Sequence, residues 1–135
     1  MTADPMDGFI AWLGQQLDED ERIARAATQG EWVWSREFVT PPGYHHRTVG
    51  PLEPGDAAFI AAHDPARALR EIDAKRQLLD EHHDTNDGDC AACVDGQWGY
   101  PTHGGSTPQR LPCRTLRLLA LPYAGRPGYR KEWRP

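Results

Sequence analysis

The chain is poor in the features that would place it in or beyond a membrane. No apolar run in its 135 residues approaches the roughly 18 residues of a membrane span. The opening MTADPMDGF has neither a basic stretch nor an apolar core, so no signal peptide is expected. Cysteines number only three, which cannot all pair within one chain. A secreted disulfide scaffold is therefore not expected, and in a reducing cytoplasm the thiols stay free for a metal. Sustained heptads are lacking, which excludes a long coiled coil. No GxGxxG, P-loop, GxSxG or HExxH motif occurs. The expected class is a small cytoplasmic protein with no membrane partner.

What is present argues for a folded chain. Five tryptophans and patterned Leu and Ile oppose wholesale disorder, while 13 Gly and 12 Pro imply several loops. Net charge is −5 but uneven. From Gln109 onward there are seven basic residues (Arg110, Arg114, Arg117, Arg126, Arg130, Lys131, Arg134) against the single acid Glu132. The preceding residues are strongly acidic and repel phosphate, so nucleic-acid binding is possible but not favoured. The basic tail can dock on the acidic body or on a partner.

The pattern predicts a mainly helical α+β domain, with helices at about 5–28, 56–63, 65–83 and 113–122. Asp4-Pro5 opens the first as cap and first-turn proline. Phe9, Ile10, Leu13 and Leu17 recur at helical spacing. Glu21/Arg25 and Asp18/Arg22 stand at i,i+4, and Gly30 closes the segment. Residues 31–39 are rich in aromatic and β-branched types and read as a strand. Pro41-Pro42-Gly43 reads as a turn and 45–49 as the return, a small hairpin over about 31–49. Trp32 and Trp34 are expected in the core. Asp64-Pro65 repeats the cap-plus-proline signal and breaks the second helical region at His63. Ala66, Leu69, Ile72 and Leu79 mark the buried face of the long third helix. One domain over 1–135 is expected: a helical body with hairpin to residue 83, an irregular loop over 84–113, and a last helix with a basic tail, pinned through Tyr123, Tyr129 and Trp133.

One constellation carries chemistry. The long helix ends in His82-His83, Cys90-x2-Cys93 follows, and Cys113 lies where the last helix should begin. Three Cys and one His are a standard structural zinc set. A C-x2-C turn brings two sulfurs to one metal, and a helix start favours the Cys113 thiolate. A metal closing the glycine-rich 94–112 loop offsets its ordering entropy. The expected ligands are Cys90, Cys93, Cys113 and His82, with His83 the alternate and His103 a more distant one. A filled Cys3His shell leaves no open position for water, so the zinc is expected to be structural. A zinc deaminase needs H-x-E and P-C-x-x-C. Here His82 is followed by His83-Asp84, and no proline precedes Cys90. Cysteines without a metal, or a redox C-x-x-C, are the other readings of the trio.

Other groups read more plainly. His45-His46 is an exposed polar pair or a second site. His63 is a helix-end residue. The Asp18–Glu21 run is a solvated helix face, since adjacent helical positions point apart.

The order of motifs resembles an uncharacterised family of small proteins from actinobacteria such as Streptomyces and their phages. The matching pieces are Leu17-Asp18-Glu19-Asp20-Glu21, Ala62-His63-Asp64-Pro65-Ala66-Arg67-Ala68-Leu69-Arg70, Cys90-x2-Cys93, and the run from Cys113-Arg114-Thr115-Leu116 to Leu121-Pro122-Tyr123-Ala124. Tyr129-Arg130-Lys131-Glu132-Trp133 closes the match. A weaker similarity runs to Ea22-type early phage proteins around Thr28–Trp32, where both of their prolines are replaced. The resemblance implies an accessory actinobacterial or phage protein and no particular reaction.

Three functions are therefore set side by side. The first is a zinc-stabilised, non-enzymatic interaction or regulatory module with a protein partner. The second is a nucleic-acid-binding accessory protein using Arg114, Arg117, Arg126, Arg130 and Lys131. The third is a small enzyme using His45, His46 or His63.

Overall fold

The computed structural model describes the backbone of residues 5–43, 47–93 and 109–135. Asp4, His45, His46 and His103, and most of the 94–112 loop, lie outside the described residues. Four α-helices and one two-stranded hairpin are present among them: α1 (Pro5–Ala26), β1 (Val33–Ser35), β2 (Phe38–Thr40), α2 (Pro54–Ala62), α3 (Pro65–Glu81) and α4 (Arg114–Ala120). Two 3₁₀ turns follow, Leu121–Tyr123 and Lys131–Trp133. The mainly helical architecture with a small hairpin is the one the sequence pattern predicts. Among the described residues no helix is long and apolar enough to cross a membrane.

The chain divides into two compact units, with boundaries inside α1 and α3. One comprises Leu17–Ala74 and the other Met1–Gln16 with Lys75–Pro135.

In the Leu17–Ala74 unit, α1 stops two residues earlier than its periodicity suggests. The Gln29 side-chain amide donates to the carbonyls of Ala24 (2.8 Å), Ala27 (2.8 Å) and Arg25 (3.2 Å). It thereby satisfies acceptors that a helix end leaves open. Along α1, Arg25 meets Glu21 at 3.3 Å and Arg22 meets Glu19 at 2.6 Å. The hairpin is antiparallel with Val33 opposite Thr40, Trp34 opposite Val39 and Ser35 opposite Phe38. Its turn is therefore at Arg36-Glu37, with Arg36 at φ 51°, rather than at Pro41-Pro42-Gly43. All of one arm and most of the other fall inside the stretch that reads as one strand. The expected return strand survives as a single bridge, in which Val39 and Val49 exchange hydrogen bonds of 3.0 and 2.8 Å. Helix α2 packs on both strands. The hairpin buries Val39 rather than a tryptophan: Trp34 is 50% exposed, with its indole N–H bonded to the Arg36 carbonyl, and Trp32 is half-buried. The Asp64 cap forms as its sequence signal implies. One carboxylate oxygen accepts from the Arg67 amide (3.0 Å), at the start of α3, and the other from the Trp32 amide (3.1 Å). The His63 ring stacks on Phe59, with Nδ1 2.8 Å from the Phe59 carbonyl oxygen.

In the other unit the core is aromatic. Phe9 meets Trp133 (ring centroids 5.4 Å apart), Trp12 meets Tyr129 and Trp133 (5.5 and 5.4 Å), and Tyr129 meets Trp133 (5.8 Å). Leu13, Leu116, Ala120 and Tyr123 complete it. The tail is thus pinned by the three aromatics singled out in the sequence. The Trp12 indole donates to the Pro127 carbonyl (2.9 Å). Gly128, at φ 91°, lets the backbone pass so close that a Cβ would lie 2.7 Å from that indole nitrogen. Lys75 donates to the Tyr123 hydroxyl at 3.1 Å, and Arg126 to the Gln16 side chain at 3.2 Å.

Candidate metal centre

All four residues of the centre lie in the second unit, and a chain of backbone bonds brings them together. Helix α3 ends at Glu81, which leaves His82 on the last turn with its ring turned inward. Residues 84–89 form a turn organised by Asp84. Its carboxylate accepts from the amides of Asn86 (2.9 Å) and Gly88 (2.8 Å), an arrangement that a short acidic side chain favours. Asn86 and Gly88 both adopt positive φ, at 82° and 85°. The chain then returns antiparallel through the Asp84–Cys90 bridge, with the Ala91 amide on the His83 carbonyl at 2.9 Å. Gln109 clips the C-x-x-C turn from the far side. Its carbonyl accepts from the Cys90 amide (2.8 Å) and its amide donates to the Cys93 carbonyl (3.1 Å). Its side-chain oxygen also takes the Arg114 amide at the start of α4 (3.0 Å). Cys113 stands at the cap position of that helix.

The result is a compact group in which the ligand atoms of His82, Cys90, Cys93 and Cys113 all lie within 4.8 Å of one another. The His82 Nδ1 atom is the hub, 3.2 Å from the Cys90 sulfur, 3.4 Å from that of Cys93 and 3.5 Å from that of Cys113. Zinc bonds of about 2.3 Å to sulfur and about 2.05 Å to nitrogen give a tetrahedron with N–S edges of about 3.6 Å and S–S edges of about 3.8 Å. The nitrogen–sulfur distances fit that tetrahedron, and the donor set suits a soft divalent cation. Cys90 and Cys113 are fully buried, His82 is 8% exposed and Cys93 is half-buried.

Without a metal the Cys93 and Cys113 thiols are held toward the neutral form. Burial, reinforced by the neighbouring sulfurs, pushes the Cys93 thiol up to about 12. Burial also raises Cys113, while the Leu116 amide pulls the other way. The thiolate stabilisation expected of Cys113 at a helix start is thus outweighed by desolvation.

His83, the alternate, does not join the group. It is exposed and its Nδ1 lies 2.9 Å from the Asp80 carbonyl oxygen. Asp84 and Gln109 were not among the residues singled out from the sequence, although both build the site. Asp84 opens an Asp-Thr-Asn-Asp-Gly run, a turn signal. Gln109 acts mainly through its backbone and carries no local signature.

The basic segment is largely occupied within the chain. Arg117 donates to the carbonyls of Pro112 (2.7 Å), Glu132 (2.6 Å) and Arg134 (3.3 Å). Arg130 lies over the Trp133 ring and Arg126 over that of Tyr123. Arg110 bonds the Asp87 carbonyl (2.8 Å) and pairs with Asp89 (3.2 Å). Arg114, Lys131 and Arg134 are exposed.

The fold and site together define a small helical protein with a candidate Cys3His metal centre. Residues 6–135 match the model of a family of unknown function, DUF6221, and the chain belongs to that family. No curated protein and no solved structure matches it.

Proposed function

We propose that this chain is a small zinc-stapled module that works by binding a partner rather than by catalysis. The observation that carries the zinc is the placement of the His82 nitrogen 3.2 to 3.5 Å from three cysteine sulfurs. A metal would turn this buried cluster of three thiols and an imidazole into a bonded set of four ligands. Four protein ligands close the first shell and leave no position for water, which supports a structural role. The metal would join the end of α3, the C-x-x-C turn and the start of α4.

A protein partner is favoured over nucleic acid by the state of the basic tail. Arg117, Arg126 and Arg130 are committed to carbonyls and rings of the same unit, and the remainder of the chain is acidic. An actinobacterial or phage origin and a cytoplasmic setting complete the reading. They rest on the C-terminal motif block and on cysteines suited to a reducing compartment.

The test is chelation of the purified full chain followed by hydrogen exchange. Removing the metal is expected to raise exchange at residues 84–93 and 109–113. Zinc, but not magnesium, is expected to restore protection. Unchanged exchange after the chelator, with no zinc recovered in the filtrate, would overturn the proposal.

A further inference from the structure

We infer that Cys93 is a site of oxidative modification, where a small peroxide attacks the metal centre and expels its zinc. The inference rests on the zinc reading above and deepens it. Three sulfurs surround the His82 nitrogen, but they are not equally reachable. Cys90 is 0% exposed and Cys113 1%, whereas Cys93 is half-buried. The two residues between Cys90 and Cys93 are alanines, and Ala92 is exposed, so neither lays a large side chain over the Cys93 sulfur. Metal-bound cysteine is a thiolate, and oxidation follows thiolate character and access. Peroxide is the oxidant class that fits, being small, neutral and able to reach a partly covered sulfur.

The chemistry balances in two steps. The Cys93 thiolate attacks one oxygen of hydrogen peroxide. The S–O bond forms, the O–O bond breaks, and hydroxide leaves with Cys93 as a sulfenic acid. The Cys90 thiolate then attacks the Cys93 sulfur. The S–S bond forms and the S–O bond breaks, releasing a second hydroxide. Two electrons pass from the pair of sulfurs to the peroxide. Both other sulfurs lie within 4.8 Å of that of Cys93, and Cys90 is the resolving partner because it lies in the same turn. Only Cys113 and His82 remain as ligands, and two donors do not retain the ion. A thiol reductant together with zinc reverses the change, so the centre acts as a resettable oxidation site.

The experiment uses the full chain loaded with zinc, freed of excess metal and treated with hydrogen peroxide. Released zinc is read with a chromophoric chelator, the first oxidised sulfur is trapped with dimedone, and the disulfide is located by peptide mass mapping. One zinc per chain is expected to leave as the Cys90–Cys93 disulfide appears, with dimedone on Cys93. Cys93→His keeps four ligands without the attacked sulfur and is expected to lose zinc at least about tenfold more slowly. Trapping in the native chain decides the matter even where that variant holds no metal. Dimedone on Cys90 or Cys113 instead, or zinc retained through peroxide treatment, overturns the inference and leaves the zinc reading standing. A reduced chain that takes up no zinc overturns both.

Discussion

His82 and His83 are neighbours in the sequence and opposite in situation. One is buried against three sulfurs and the other is exposed with its ring on the Asp80 carbonyl. His82→Ala is therefore expected to release the metal, whereas His83→Ala leaves metal content unchanged; zinc analysis of the two purified variants checks this. A second residue-level expectation concerns Tyr129, whose buried hydroxyl has no hydrogen-bond partner among the described residues. An unsatisfied buried polar group costs about 1–3 kcal/mol, so Tyr129→Phe is expected to leave the thermal midpoint unchanged or raise it. A clear drop would mean that the hydroxyl is bonded in solution. Gly128→Ala should act in the opposite sense, because its Cβ would meet the Trp12 indole at 2.7 Å on a backbone with φ 91°.

Among the elements, Asp64 makes the sharpest case for capping. It holds the first turn of α3 and the amide of Trp32 at the same time. Asp64→Ala is expected to cost about 0.5–2 kcal/mol, the usual range for a lost cap, measured by denaturant unfolding. The helices were legible because their signals are local: Asp64-Pro65, the Leu and Ile periodicity, and the break at His63. The four-residue centre was legible because C-x-x-C with a distant Cys and a helix-end His leaves few alternatives. The hairpin turn was not. A two-residue turn is normally advertised by Gly or Asn, which tolerate positive φ. Here Arg36 takes that conformation at φ 51° while Pro41-Pro42-Gly43 offers a stronger but misleading signal. The early end of α1 was hidden too, since it depends on the side chain of Gln29 folding back. The outward setting of Trp34 depends on packing across the hairpin, which composition does not encode.

On the scale of the whole molecule a bound metal would set how stability responds to pH. The free Cys93 thiol sits at about 12 against an ordinary 9.0. Between those values the folded chain holds a proton that the unfolded chain has lost, so stability falls as pH rises. To the extent that the metal-free chain keeps this site folded, its denaturant midpoint is expected to drop between roughly pH 9 and pH 12. With zinc bound the thiolates are the native form, and the dependence changes sign: stability is lost in acid, where protons displace the metal. Structural zinc is worth on the order of 10 kcal/mol in peptides, comparable with the roughly 5–15 kcal/mol of a whole domain. Metal loss is therefore expected to reach beyond the turn.

Cobalt(II) substitution tests the central claim most directly, because its visible spectrum reports both geometry and ligand type. Titration of the reduced, metal-free full chain is expected to saturate at one cobalt per chain. The spectrum should show the intense visible bands of a tetrahedral ion together with sulfur-to-cobalt charge transfer. Cys113→Ser should weaken that charge transfer. A pale octahedral spectrum without sulfur bands, or no saturable binding, would contradict a Cys3His centre.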